Sequence, residues 1–333
     1  MLFGKNKKSK APSSVIWTAK EAGAATGGDS RQDWAATGLS IDTRTIKPGD
    51  LFIALKGDRL DGHDYVADAL MKGAAAVMVS RIPAGVKSNA PVLLVDDTFT
   101  ALQALASSSR HRTGSKIIAV TGSVGKTGVK EMLAQVFAGQ GQTHASKGSF
   151  NNHWGVPFSL ASMHAGTDYG IFEIGMNHAG EITPLSQMVL PHVAIITTVE
   201  SVHLENFNSV EDIADAKAEI FAGMDHNGVA VLNRDNPHYA RLLAAARSRG
   251  LKTLSFGEHE EADARLEECL LASNGSRVRA AFGTEKVDFD LRVSGKHMAL
   301  NALSVLLAVK AVNGNLKKAI RALGKIEPVA GRG

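Results

Sequence analysis

The stretch KIIAVTGSVGKT, residues 116–127, joins an apolar run to small residues and a final Lys-Thr pair. The run predicts a buried strand, and the spacing of KTGVKEMLAQVFA (126–138) predicts a helix directly after it. Glycines at such a junction let backbone N–H groups surround a phosphate at the positive end of the helix. The strict pattern G-x-x-x-x-G-K-S/T is not met, because Val120 stands at its first glycine. A plain strand–turn–helix remains the alternative, although GKT in this position favours nucleotide binding.

The nucleotide interpretation gives each residue of the loop a task. Glycines permit close approach of the backbone, the lysine reaches the β- and γ-phosphates, and the threonine hydroxyl binds Mg²⁺. The predicted cofactor-binding loop is Gly122, Ser123, Val124, Gly125, Lys126 and Thr127.

Strand and helix patterns alternate along the chain after this loop. YGIFEIG (169–175), HVAIITTV (192–199) and GVAVLN (228–233) predict buried strands, and residues 209–224 and 237–250 predict helices. This alternation predicts an α/β fold with a mostly parallel, doubly wound sheet, in which ligands bind beyond the carboxyl ends of the strands. Shorter strand and helix patterns before residue 110 predict a separate α/β domain.

The chain has 333 residues, more than one hydrophobic core usually supports. We place the domain boundary in the polar segment SSSRHRTGS (107–115), which gives an N-terminal domain at 14–112 and a central domain at 113–327. Residues 1–13 are expected to form a disordered basic tail. The ending EPVAGRG contains no closing helix or strand, so we expect residues 328–333 to begin a missing C-terminal domain.

Composition excludes several classes of protein. The net charge is +4, and the basic run KNKKSK has no aromatic residues among its lysines, so we do not expect nucleic-acid binding. The single cysteine, Cys269, permits no intrachain disulfide, which is typical of the cytoplasm. No secretory leader and no apolar run long enough for a membrane span is visible. We expect a cytoplasmic protein and, without positive evidence, a monomer.

Three further residues are candidates for the nucleotide site because of their positions in the predicted fold. Glu173 ends a predicted strand, at the same edge as the phosphate loop, where a carboxylate is well placed to bind Mg²⁺. His203 follows the next strand, and Lys217 lies in a predicted helix. Taken singly, each has a plainer explanation: a solvated carboxylate, a structural histidine and a surface lysine.

The segments TGSVGKT, EIGMNHAGEI, SVHLENFNSVEDIADAKAEIF and VLNRDNP, in this order, resemble the Mur ligase family of peptidoglycan synthesis. SIDTRTIKPGDLFIALKGDRLDGHDYV (40–66) resembles its UDP-sugar-recognising domain, so the resemblance covers about residues 14–333. GSVGKTGVKEM and SFNNHWGVPFSL (149–160) look most like the member that adds D-alanyl-D-alanine. Ser149 departs from the family, which usually has Asn there.

The resemblance implies roles in the central domain. Thr127, Glu173, His203 and Lys217 match metal ligands, with Lys217 as a carbamate, and Lys126, Glu173, His203 and Lys217 form the implied catalytic group. Asn152 matches an asparagine near the phosphates, with Asn151 as the competing assignment. Asn233 and Asn236 match adenine-binding positions, and Arg332 matches an arginine that reaches the ATP phosphates. The implied cofactors are ATP and two Mg²⁺ ions. His297 and Asn301 match a family pattern whose role is packing at a domain junction.

In the first domain, the implied contacts to the UDP-muramoyl substrate come from two segments. The first contributes Ser40, Asp42, Thr43 and Arg44, and the second is the turn Asp61, Gly62 and His63. A polar turn with a structural Asp–Arg pair is the alternative explanation for these residues.

The implied reaction is ATP-dependent amide synthesis, in which D-Ala-D-Ala is joined to UDP-N-acetylmuramoyl-tripeptide through an acyl phosphate, with release of ADP and phosphate. One alternative is the related ligase that adds the third amino acid. A second is a nucleotide-binding fragment, weakly active or inactive because the third domain is absent. A GTPase switch is disfavoured, since no N-K-x-D motif is found.

Overall fold

A computed structural model describes residues 15–327 except residues 31, 203 and 274. The chain divides into two compact units. Unit 1 reaches Leu105 and includes His164–Gly166, whereas unit 2 contains Ala106–Met163 and resumes at Thr167. The expectations for residues 1–13 and 328–333 lie outside the described residues. The domain limits 14–112 and 113–327 remain our proposal for the functional domains.

The segment 107–115 is not the break in structure that its composition suggested. A helix continues through it as far as His111. Two of its polar side chains form hydrogen bonds within unit 2. Buried Ser109 donates to the Met163 carbonyl, and Arg110 donates to the carbonyls of Val189 and Leu190. The helix agrees with the helical spacing of TALQALASSSRHR (100–112), while the domain boundary placed in 107–115 stays a prediction.

Unit 1 contains a five-stranded sheet, a two-stranded antiparallel pair and three helices, the last of which continues into unit 2. The sheet order is β2-β7-β6-β5-β4, and only the β2–β7 pair is antiparallel. The strands are β1 (Trp17–Thr18), β2 (Asp29–Ser30), β3 (Ala35–Ala36), β4 (Gly38–Ser40), β5 (Asp50–Ile53), β6 (Ala76–Val79) and β7 (Val92–Leu94). The helices are α1 (Ala19–Thr26), α2 (Val66–Met71) and α3 (Thr98–His111), and a 3₁₀ turn covers Gly62–Tyr65.

Unit 2 is built on a nine-stranded sheet in the order β16-β15-β14-β13-β12-β11-β8-β10-β9. Strands β8 to β14 pair in parallel, and the hairpins β14-β15-β16 are antiparallel. The strands are β8 (Lys116–Thr121), β9 (Thr143–Ala145), β10 (Tyr169–Glu173), β11 (Val193–Ile196), β12 (Val229–Asn233), β13 (Lys252–Gly257), β14 (Ala264–Ala272), β15 (Gly275–Phe282) and β16 (Glu285–Leu291).

The helices of unit 2 are α4 (Lys126–Ala138), α5 (Gly155–Ala161), α6 (Ile182–Val189), α7 (Val210–Ala218), α8 (Tyr239–Ser248), α9 (Lys296–Ala311) and α10 (Leu316–Leu323). Short 3₁₀ turns cover Leu204–Asn206 and Glu219–Gly223. The predicted helix 209–224 therefore changes to a tighter 3₁₀ turn after Ala218. Strands β9 and β14 and helices α5, α6 and α10 lie in segments for which the sequence patterns predicted no element.

Both faces of the central strands are covered. Ile118 and Val120 of β8 belong to a large apolar core that also contains α4 and α9 side chains such as Val129 and Leu303. Ile117 and Ala119 alternate with them and are also fully buried. Since successive side chains of a strand point to opposite faces, this pattern confirms the doubly wound α/β fold.

Candidate nucleotide-binding site

The phosphate loop lies where β8 gives way to α4. The strand continues to Thr121, one residue beyond the predicted end, and α4 begins at Lys126. Gly122 has φ 146° and Gly125, the N-cap of α4, has φ 88°. Residues with side chains rarely adopt such angles, so these two glycines let the chain turn from the strand into the helix. The turn directs the positive end of a 13-residue helix into the loop.

The loop is held by the residues after β11. Thr197 donates its hydroxyl to the Val124 carbonyl at 2.5 Å, and the backbone N–H of Ser123 donates to the Thr198 carbonyl at 2.8 Å. A Cβ on Gly122 would overlap the Thr197 side chain, and one on Gly125 would lie 3.2 Å from the Asn301 amide. The close neighbours explain why Gly stands at both positions. They also place Asn301 of α9 against the phosphate loop.

A pocket of about 240 Å³ lies in front of this loop. Lys126 reaches back across it, with Nζ donating to the carbonyls of Gly122 at 2.6 Å and Ser123 at 3.1 Å. The lining residues are Ser123, Val124, Gly125, Lys126, Thr127, Ser149, Asn151 and Glu173. The structure therefore brings the predicted loop and the predicted metal-binding carboxylate to one cavity.

Glu173 ends β10 and is only 1% exposed. Its Oε1 accepts a hydrogen bond from Asn151 Nδ2 at 2.7 Å, whereas its Oε2 is buried with no partner among the described residues. A buried carboxylate oxygen without a partner is costly unless a ligand completes its surroundings. Glu173 is therefore a candidate ligand for a cation in this pocket.

The two asparagines of the SFNNHWGVPFSL stretch have different roles. Asn151 lines the pocket and orients Glu173, whereas Asn152 Oδ1 accepts the N–H groups of Trp154 and Gly155 at the start of α5. Asn152 thus satisfies unpaired N–H groups at a helix end. The geometry favours Asn151, the competing assignment, as the asparagine of the site, while a contact from Asn152 to phosphate remains a prediction.

Lys217 lies on α7 and is 2% exposed. Burial, with a smaller contribution from the nearby positive charge of Lys126, lowers the pKa of Lys217 from 10.5 to about 7. A lowered pKa makes the neutral amine far more accessible near neutral pH than it is for an exposed lysine. Lys217 is thus a buried amine within the electrostatic reach of the phosphate loop, and the alternative of a surface lysine is excluded.

Glu219 fastens the end of α7 to the loop that follows Glu173. Its carboxylate accepts N–H groups from Gly180 at 2.6 Å, Thr183 at 3.0 Å and Ile182 at 3.1 Å, and the Thr183 hydroxyl at 3.2 Å. Four donors on one carboxylate define the position of the segment that carries Lys217 relative to the beginning of α6.

Asn233 and Asn236 use their amides to hold the chain after β11. Asn233 Nδ2 donates to the Thr197 carbonyl at 3.2 Å, and Asn236 Nδ2 donates to Thr198 Oγ1 and the Val199 carbonyl, both at 3.0 Å. Because Thr197 and Thr198 hold the phosphate loop, these asparagines support the loop indirectly. Their predicted contacts with adenine stay predictions.

The candidate substrate residues of unit 1 form a local turn. Asp42 pairs through both carboxylate oxygens with Arg44, whose hydrogen bonds lower the pKa of Asp42, and Ser40 Oγ accepts the Asp42 N–H. The Thr43 carbonyl accepts Lys72 Nζ at 3.0 Å. Arg44 remains 87% exposed on its side chain, so the turn presents one guanidinium to solvent. The structural Asp–Arg pair is thus present, and it leaves the arginine available for a ligand.

The Asp61-Gly62-His63 turn is also internally bonded. Asp61 Oδ1 lies 2.6 Å from Nδ1 of buried His63, and His63 Nε2 accepts the Ser80 N–H at 3.0 Å. Hydrogen bonds from the His63 backbone and side chain and from Arg81 lower the pKa of Asp61 to about 2. A Cβ on Gly62 would lie 2.7 Å from the Leu55 carbonyl, so only Gly fits. Substrate contacts from these residues remain predictions.

Two predicted residues, His203 and Arg332, lie outside the described residues. Sequence reasoning did not identify Thr197 or Glu219, because each acts through contacts between elements distant in sequence. It named Asn301 with His297, but it did not predict that Asn301 lies against Gly125 of the phosphate loop. Across the described ranges, no helix is long and apolar enough to cross a membrane. The same ranges contain no group of three or more His, Cys, Asp or Glu side chains that could hold a metal.

Comparison with known proteins identifies the architecture. A family model described as Mur ligase middle domain matches residues 120–309, and one described as Mur ligase family, catalytic domain, matches residues 35–110. The UDP-N-acetylmuramoyl-tripeptide--D-alanyl-D-alanine ligase of Rickettsia prowazekii is 37% identical over 96% of this chain and 71% of its own length.

Solved structures agree with this. A crystal structure of MurF from Acinetobacter baumannii has a TM-score of 0.83 and 31% identity, covering 95% of this chain and 69% of its own. MurF from Thermotoga maritima, solved in complex with ADP, has a TM-score of 0.74 and 27% identity, covering 88% and 67%. The chain spans between 58% and 71% of the length of the Rickettsia prowazekii, Bacillus subtilis and Escherichia coli relatives.

Proposed function

This chain belongs to the Mur ligase family, and we propose that it provides the ATP- and UDP-substrate-binding parts of a ligase that joins D-Ala-D-Ala to UDP-N-acetylmuramoyl-tripeptide. The observation that carries the proposal is the buried, unpartnered Oε2 of Glu173, which belongs to a pocket also lined by the phosphate loop. A glycine loop alone fits many functions. A loop that faces an unsatisfied carboxylate fits a nucleotide bound with a divalent cation.

The residues of the pocket fit Mg²⁺. Mg²⁺ prefers oxygen ligands and is commonly held by one or two protein groups together with phosphates and water. Glu173 offers a carboxylate oxygen and Thr127 a hydroxyl. Bound Mg²⁺ supplies a positive charge that stabilises the phosphoryl oxygens during transfer. Two such ions remain part of the proposal.

The chain's own residues explain how a carboxylate can be activated. A carboxylate resists attack by an amine, because its charge repels nucleophiles and oxide is a poor leaving group. Transfer of the γ-phosphoryl group of ATP to the tripeptide carboxylate gives an acyl phosphate, and attack by the amine of D-Ala-D-Ala then releases phosphate. The N–H groups at the start of α4 and the Lys126 ammonium bind the phosphates, and Thr197 keeps the loop in shape.

We further propose that Lys217 reacts with CO₂ to form a carbamate. The reaction needs a neutral amine, and a pKa of about 7 supplies one near neutral pH. The nitrogen forms a bond to carbon, loses a proton, and the side chain changes from a cation to an anion with two oxygens. Such a group can bind metal near Lys126 without the repulsion between two cations.

The remaining predicted roles belong to the same proposal. Asn152, Asn233, Asn236, His203 and Arg332 are proposed to contact ATP or metal, and the two unit 1 turns are proposed to bind the UDP-muramoyl group. We also propose that the protein is a monomer and that it works in the cytoplasm, where ATP and the nucleotide precursor are available.

The test is phosphate release from ATP with UDP-N-acetylmuramoyl-tripeptide while the amine is varied, in this chain and in the full-length gene product. We expect release in the full-length protein only with D-Ala-D-Ala, and little or none in this chain. If phosphate release instead requires a UDP-muramoyl-dipeptide and a single amino acid, the protein is the related ligase that adds the third amino acid. Normal turnover by this chain would contradict the proposed dependence on a further domain. Lys126→Met is the inactive reference.

A further inference from the structure

Lys130 is a completely buried lysine for which the proposed reaction has no use. It lies on α4, one helical turn after Lys126, and its exposed fraction is 0%. Nζ donates to the carbonyls of Ser146 at 2.8 Å and Gly148 at 2.9 Å, and it pairs with the Glu131 carboxylate at 2.7 Å. An ammonium has three N–H donors, and all three have oxygen partners here. Lys130 therefore connects α4 to the turn formed by residues 146–151.

That turn surrounds Glu173. At its beginning, Ser146 Oγ accepts the Glu173 N–H at 3.2 Å. At its end, Asn151 Nδ2 donates to Glu173 Oε1 at 2.7 Å, and the Asn151 carbonyl accepts the Gly175 N–H at 2.8 Å. Glu173 thus receives its orientation from the turn, not from its own strand alone.

The geometry has a consequence for the pocket. Helix α4 carries Thr127, whereas β10 carries Glu173, and the pocket lies between them. Lys130 fixes the turn to α4 at two carbonyls, and the turn fixes the Glu173 carboxylate through Asn151. Groups that orient a metal ligand without touching the metal commonly change metal affinity when they are removed.

We propose that Lys130 is a positioning residue that sets the Glu173 carboxylate relative to Thr127 for a Mg²⁺–nucleotide complex. The inference rests on the proposed function, because it concerns the same pocket. Lys130 itself is sealed from the pocket and acts through the 146–151 turn and Asn151. It therefore governs the Mg²⁺-dependent part of nucleotide binding and leaves the Mg²⁺-independent part, supplied by the loop N–H groups and Lys126, in place.

Calorimetric titration of the chain with ADP, once in Mg²⁺ and once in EDTA, separates the Mg²⁺-dependent part of nucleotide binding from the Mg²⁺-independent part. In Lys130→Met we expect unchanged affinity in EDTA and a loss of about 10–100-fold in the affinity gained from Mg²⁺. Lys318→Met is the control, since Lys318 Nζ reaches the Gly139 carbonyl at the opposite end of α4. Glu131→Gln removes only the negative charge of the third partner of Lys130 and should keep the gain.

Other outcomes are equally decisive. The inference is overturned if folded Lys130→Met gains as much ADP affinity from Mg²⁺ as wild type does. It is also overturned if this variant loses ADP affinity equally in Mg²⁺ and in EDTA. If Lys130→Met does not fold, Gly175→Ala disturbs the same turn, because its Cβ would lie 2.9 Å from the Asn151 side chain. It should lose the Mg²⁺ gain, and retention overturns the inference. A wild-type chain that binds no ADP contradicts the proposed function itself, and the inference falls with it.

Discussion

Lys130 and Lys217 are both almost completely buried in unit 2, at 0% and 2% exposure, but their surroundings are opposite. Lys130 Nζ has three oxygen partners, two of them backbone carbonyls. Lys217, by contrast, has its pKa lowered to about 7 by burial, with a smaller contribution from the charge of Lys126. Lys130 is thus an anchor between α4 and the 146–151 turn, whereas the lowered pKa of Lys217 favours its neutral form.

The difference shows that burial alone does not decide what a charged side chain does in unit 2. Two carboxylates repeat the contrast, since Glu219 accepts four donors while Glu173 keeps one oxygen unpartnered. The satisfied member of each pair holds the backbone in place. The other member of each pair, Lys217 or Glu173, is the one that we propose to react or to bind a cation.

The largest expected effect is on stability when the reactive lysine is removed. The pKa of Lys217 is about 7 in the folded state, against 10.5 for an exposed lysine. Between these values the unfolded chain binds more protons, so wild-type stability rises with pH. Lys217→Met should therefore stabilise the CO₂-free protein by about 2–5 kcal/mol near pH 6, with the gain fading toward about pH 10. Urea unfolding measures the free energy of unfolding of both proteins. A Lys217→Met variant less stable than wild type at pH 6 would contradict the contrast drawn between Lys217 and Lys130.

Lys130→Met should act in the opposite direction. It leaves the buried carbonyl of Ser146 and the more exposed carbonyl of Gly148 without their donor, which should lower the free energy of unfolding by about 2–4 kcal/mol. Urea unfolding of this variant beside Lys318→Met is the measurement. Equal stabilities of the two variants would show that the buried contacts contribute nothing.

The charge of Lys126 should influence formation of the proposed carbamate on Lys217. Lys126→Met removes the smaller of the two causes that lower the pKa of Lys217, so that pKa should rise. In wild type the ¹³C signal from labelled bicarbonate should increase as pH passes through about 7 and then level off. The midpoint should lie higher in Lys126→Met. An unchanged midpoint would mean that burial alone sets the pKa.

The smallest effect is expected at the anchor next to Lys217. Glu219→Gln replaces one carboxylate oxygen with an NH₂ group that faces backbone N–H donors, so we expect a loss of about 1–2 kcal/mol in stability. Hydrogen exchange at Gly180 and Thr183 should become faster, because these N–H groups lose part of their acceptor. Unaltered exchange at both amides would show that the carboxylate does not hold this loop.

The sequence predicted the elements that depend on local pattern. The strand and helix around Lys126 were predicted to within one residue, since apolar runs and glycines act over short distances. It also indicated Glu173 and Lys217 through the order of motifs. It could not separate Asn151 from Asn152, because the choice depends on which amide reaches β10 across the fold.

Other features escaped sequence reasoning for similar physical reasons. The spacing of residues 100–112 predicted the helix that becomes α3, but not that Ser109 and Arg110 donate to carbonyls of residues 163 and 189. In the sequence, Lys130 cannot be distinguished from an ordinary helical lysine, because its carbonyl partners at residues 146 and 148 are brought to it only by the fold.

The central claim is that Glu173 and the phosphate loop form one Mg²⁺–nucleotide site, and titration with a non-hydrolysable ATP analogue in Mg²⁺ and in EDTA tests it most directly. Wild type and the distant control Glu267→Gln should bind more tightly with Mg²⁺ by about 10-fold or more, and Glu173→Gln should lose that gain while still binding in EDTA. Equal affinity in Mg²⁺ and EDTA for wild type, or a full Mg²⁺ gain in Glu173→Gln, would contradict the account.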